Sequence, residues 1–131
     1  MKRSLIIGVM ILSTIFSACR TNAPAEENDF QPLMTDSGVT VLSDRTTDEG
    51  VRELSVKPSS VCSSQIDIEV KDGIILMVKF TNGCDGNTKG VSSLIQGMSV
   101  EEAVKRLKGI DCGGKGTSCP DQLAKALELM L

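Results

Sequence analysis

The stretch "QIDIEVKDGIILMVKF", residues 65–80, constrains the fold more than any other. Ile66, Ile68 and Val70 alternate with Asp67 and Glu69. That period of two is the mark of a strand with one face buried and one face wet. Asp72-Gly73 follows, a dipeptide suited to a two-residue hairpin turn, whose central residues need positive φ. "IILMVKF" (74–80) then returns as a second strand; being the more apolar, it is expected to be central. An isolated hairpin is marginal in water, so its apolar face must be covered by something else in the chain.

The residues after the hairpin supply that cover. "TNGCDGN" (81–87) is dense in turn formers. Val91, Leu94, Ile95 and Met98 then recur at helical spacing, with Asn87 or Thr88 as the expected cap. "SVEE" from Ser99 is a capping box, and Val100, Ala103, Val104 and Leu107 form one stripe of the helix it opens. Gly109 is its stop signal. A third helix is expected from about Pro120, with Leu123, Ala126, Leu127 and Met130 on one face. On its other side the second helix carries Glu101, Glu102, Lys105, Arg106 and Lys108, a solvated face with i,i+4 pairs such as Glu101–Lys105 and Glu102–Arg106. The expected fold is α+β: a small two-layer domain, an antiparallel sheet built on a β-hairpin and packed by about three helices.

The start of the chain reads as a targeting segment. Lys2 and Arg3 precede the apolar run "SLIIGVMILSTIF", which ends in the small residues of "SAC" (17–19). The run is too short for an ordinary membrane span. The pattern is that of a lipoprotein signal (1–19), with lipid attachment at Cys19. That places the remainder in the cell envelope, anchored to a membrane; without the signal reading, the protein would be cytoplasmic. Residues 20–58 are expected to be a flexible lead-in, because "TNAPAEENDFQPLMTDSG" has too few apolar residues to bury. Within it, 39–44 and 51–56 are short strand candidates. The domain proper is expected at 59–131.

Composition removes several function classes. The chain has no His, which excludes histidine catalysis and histidine ligands. Its net charge is −3 and its aromatic content 2%, which disfavours nucleic acid as a partner. The candidate chemistry lies in the cysteines. With Cys19 assigned to the lipid, Cys62, Cys84, Cys112 and Cys119 remain. Four thiolates suit a tetrahedral soft-ligand site for zinc or an iron–sulfur cluster, although no C-x-x-C knuckle is present. Cys119 stands at a predicted helix N-terminus with Lys115 close in sequence, and Cys112 is its candidate resolving partner in a redox pair. Two structural disulfides are the third alternative, and an oxidising compartment would favour them.

"GIDCGGKG" (109–116) imitates the opening of a phosphate-binding loop. Gly116 stands where the magnesium-binding hydroxyl belongs, and the preceding element reads as a helix rather than a strand. The glycines are better explained as turn residues.

"TSCPD" (117–121) closes this stretch. With "VCSSQIDIEVKDGIILMVKFTNGCDGNTKGVSSLIQGM" and "EEAVKRLKGIDCGGKGTSCPDQLAKAL", it resembles the TSCPD domain family across residues 59–131. The family occurs as small stand-alone proteins and as a C-terminal module of adenosylcobalamin-dependent ribonucleotide reductases. The resemblance implies a ribonucleoside-diphosphate reductase association, hence deoxyribonucleotide synthesis, with a reductase or a thioredoxin-type protein as partner. The cysteines matching the family pattern are Cys62, Cys84, Cys112 and Cys119. A domain this small cannot hold a catalytic barrel, a cobalamin site and a nucleotide site, so the resemblance implies a module of that reaction. The lipoprotein-like start is not a family feature. It leaves the second expectation, an exported lipid-anchored interaction domain stapled by disulfides.

Overall fold

The computed structural model describes residues 38–131; the signal segment, Cys19 and the first part of the expected lead-in, 20–37, lie outside them. Strands β1 (Thr40–Thr46), β2 (Arg52–Lys57), β3 (Ser63–Lys71) and β4 (Ile74–Asn82) are followed by helices α1 (Asp85–Ile95), α2 (Val100–Leu107) and α3 (Cys119–Glu128). The strands form one antiparallel sheet in chain order. Leu54 pairs with Ile68, Val56 with Ile66, and Ile68 with Val78, so one face is a continuous apolar surface. That face meets Leu123, Leu127, Val100 and Ala103 of the helices in a single core. The fold is the expected α+β domain.

The hairpin turn is as the sequence predicts. Asp72 and Gly73 both have positive φ, and Lys71 pairs with Ile74 across them. The position of β4 differs: it is an edge strand, and β2 and β3 are central. Its apolar character has two causes. Register slips between Glu69 and Val70, which places both Ile75 and Val78 in the core. The outer edge is covered at one end by the α1–α2 connection, where Gly97 N–H donates to Ile75 and Ile75 N–H donates to Met98.

The sheet also begins ahead of the expected domain start at 59. Val39 is 1% exposed and Leu54 and Val56 are buried, so the part of the 20–58 lead-in from Val39 onward is sheet and core. Its few apolar residues suffice because β2 is central and each inward position is used. Polar residues of the outer face compensate one another, as in Arg45–Glu53 and the hydrogen bond from Ser55 to Asp67.

The helices follow their stripes with one exception. Ser99 caps α2 by accepting from Glu102 N–H, and Val100, Ala103, Val104 and Leu107 are buried. The Glu102–Arg106 pair forms at 2.7 Å, whereas Glu101–Lys105 is not among the ion pairs of the described residues. Helix α1 starts earlier than predicted, with Cys84 at its N-cap. Thr88 does not cap; its hydroxyl donates back to the Cys84 carbonyl one turn before. The buried face is therefore Thr88 and Ile95, and Leu94, expected in the stripe, is 78% exposed.

Candidate four-cysteine site

The antiparallel hairpin brings Cys62 and Cys84 together by construction. Ser63 pairs with Asn82, so the residue before β3 and the loop after β4 share one end of the sheet. Both approaches need unusual backbone: Ser60, Asn82 and Gly83 have positive φ. Gly83 is also sterically required, since a Cβ there would lie 2.7 Å from Ser63 Oγ. Cys119, the first residue of α3, reaches the same end, where Ser63 Oγ donates to its Sγ at 3.1 Å.

The α2–α3 connection delivers Cys112. Cys112 N–H donates to the Thr117 carbonyl, and Asp111 accepts from the N–H groups of Gly114 and Gly116. The glycine loop is thus curled around its own carboxylate. This adds a reason why it is not a phosphate loop: the amides that would cradle an anion already hold one.

Cys62, Cys112 and Cys119, with Lys115, line one hollow of about 10 Å3. Cys84 does not line this hollow. Its thiol is pushed above the ordinary thiol range, first by the charge of Cys62, then by desolvation, by a hydrogen bond with Cys62, and by the charges of Cys112 and Cys119. Cys84 is therefore within electrostatic reach of the other three sulfurs. The four are not drawn to ligand spacing: among the described residues, no three Cys, Asp or Glu side chains form a ready metal cage. All four are free thiols; Cys119 is buried and the others are exposed. Cys84 is nearest in charge to Cys62, and Cys62 shares the hollow with Cys112 and Cys119. A wider groove of about 540 Å3 runs between β4 and α1, but it is lined by none of the cysteines.

A family model for the TSCPD domain matches residues 39–131. The chain belongs to the TSCPD family. TSCPD domains are associated with ribonucleotide reductases. No curated protein and no solved structure matches the chain.

The five residues that name the TSCPD domain have separable tasks here. Thr117 Oγ1 donates to Asp121 at 2.7 Å and accepts from Gln122 Nε2. Ser118 caps α3 by accepting from Asp121 N–H. Cys119 carries the thiol. Pro120 sits in the first turn, where its missing N–H costs nothing. Asp121, 3% exposed, also accepts from Gly109 N–H at 2.8 Å and pairs with Lys125 at 2.8 Å. Burial raises its pKa, but Lys125, Gly109 and Thr117 together hold it below the usual carboxylate range. Just past the motif, Gln122 Oε1 accepts from Ser59 N–H, which pins the loop carrying Cys62.

Sequence reasoning named the cysteines and missed what positions them: Ser63, Gly83, Asp111, Asp121 and Gln122. Asp111 followed by three glycines within five residues is a readable signal. Ser63 has none, because a serine at a strand start looks like surface.

Proposed function

We propose that this TSCPD domain is a metal-binding module in which Cys62, Cys84, Cys112 and Cys119 hold one soft cation, with zinc preferred over an iron–sulfur cluster. The observation that carries the reading is the convergence of four thiols, from three connections and the first residue of α3, on one end of the sheet. The charge of Cys62 raises the Cys84 thiol, and a bound cation would offset that repulsion. The hollow among Cys62, Cys112 and Cys119 has room for about one water-sized sphere, which favours a single ion over a cluster. Three of the thiols are exposed, open to an incoming ion. A bound zinc would supply a structural cross-link. The chain's own residues supply the frame: Gln122 fixes the Cys62 loop, Asp121 fixes the approach to α3, and Asp111 shapes the Cys112 loop.

In this reading the module serves a ribonucleotide reductase or a thioredoxin-type protein, and the reductase chemistry belongs to that partner. A second reading draws on the proximity of Cys62 and Cys84, the strongest electrostatic coupling that Cys84 makes among the four thiols. In an oxidising compartment these two thiols join as a disulfide, and the protein is an exported interaction domain anchored through Cys19. Elemental analysis with thiol counting on the purified protein separates the two. One zinc per chain with four metal-protected thiols supports the module. Metal-free protein with fewer than four free thiols among these positions overturns it in favour of the disulfide. Palmitate labelling lost in Cys19→Ala tests the anchor.

A further inference from the structure

We propose that Ser63 is the positioning residue of the sulfur site, holding the Cys119 sulfur in register with Cys62 and Cys84 through its hydroxyl, and that Gly83 provides the clearance this requires. The inference rests on the metal-binding reading. Three elements meet at this one atom. Ser63 begins β3, Gly83 follows β4, and Cys119 begins α3.

Cys119 is the buried member of the four, at 7% exposure. Water can donate to the sulfurs of the other three, but not freely to this one. A sulfur that carries negative charge in a buried place needs a donor from the protein. Ser63, 4% exposed, provides it at 3.1 Å. Ser63 is covalently next to Cys62 and lies across the strand pair from Asn82, two residues before Cys84. Tying Cys119 to Ser63 therefore sets its sulfur relative to both. Donors of this kind around metal ligands orient them and offset their charge.

Gly83 explains how the hydroxyl stays in place. Its φ is +100°, and an added Cβ would sit 2.7 Å from Ser63 Oγ and 3.3 Å from Thr88 Cγ2. A side chain at 83 must either turn the hydroxyl off Cys119 or lift the loop carrying Cys84.

The test uses the full chain and the variants Ser63→Ala, Gly83→Ala and the double variant. Cobalt(II) binding is read from the sulfur-to-metal charge-transfer band, and zinc affinity from chelator competition. Alkylation rates at each cysteine are mapped by mass spectrometry in the metal-free protein. Ser63→Ala is expected to weaken zinc about 10- to 100-fold, shift the cobalt band and speed alkylation of Cys119, leaving Cys62 and Cys112 rates unchanged. Gly83→Ala is expected to be worse, and adding Ser63→Ala to it should recover part of its lost urea resistance because the clashing oxygen is gone. Wild-type affinity and an unshifted band in Ser63→Ala overturn the proposal, as does strict additivity in the double variant. Should the wild type take up neither metal, the metal-binding reading falls. The alkylation rates and the double variant then decide whether Ser63 holds Cys119.

Discussion

Two adjoining regions of this molecule handle polar groups in opposite ways. The turn from Thr117 to Gln122 is polar and buried, and its side chains use one another: Asp121 takes two donors and a cation, and Gln122 takes two partners. The loops carrying Cys62, Cys84 and Cys112 are exposed, with thiols that repel one another once charged. The difference teaches where order is invested. One wall of the site is finished in the protein alone, and the other waits for something to join it.

Substitutions in the finished wall should be costly with no metal present. Asp121→Ala leaves the Gly109 N–H, the Thr117 hydroxyl and Lys125 without their acceptor; the expected loss is about 3 kcal/mol in urea unfolding of the metal-free protein. Gln122→Ala releases Ser59 and Thr117 and should cost about 2 kcal/mol. It should also loosen the Cys62 loop, read as faster alkylation at Cys62.

A pH titration sharpens the contrast. Asp121 has a folded pKa below its unfolded value, so its stabilisation is fully present above the unfolded value of about 3.9 and is lost as pH falls through the lower folded one. The gap in urea midpoint between wild type and Asp121→Asn should be constant near neutrality and shrink below about pH 4. A gap that widens in acid breaks the assignment.

The open wall should behave in the reverse sense. Cys84→Ser is expected to leave the urea midpoint of the metal-free protein unchanged while lowering bound zinc. A large loss of stability without metal would show that this wall too is finished. Leu94→Ala, at a solvent-facing position outside both regions, should leave both readouts unchanged and serves as the baseline.

The sequence carried a good part of this. The hairpin, the capping box at Ser99 and the stripes of α2 and α3 were legible because each rests on local periodicity or capping. The edge position of β4 was not, because an apolar run looks alike whether it is covered by strands or by a bulge and a crossing loop. Leu94 misled because α1 packs along Thr88, Val91 and Ile95, a face on which a polar threonine stands, and Leu94 lies to one side of it. At the site, the identities of the cysteines were legible and their arrangement was not. Ser63, Gly83 and Gln122 act across tens of residues, and no spacing rule connects them.

The spread of the four cysteines has a kinetic side. They come from three connections and the start of α3, and only the assembled sheet with α3 docked brings all of them near one another. A group that joins these sulfurs must therefore act late in folding, after the long chain closures have been made. It could not rescue a partly folded chain, but it would hold a finished one, and its uptake would report how much of the population had reached that state.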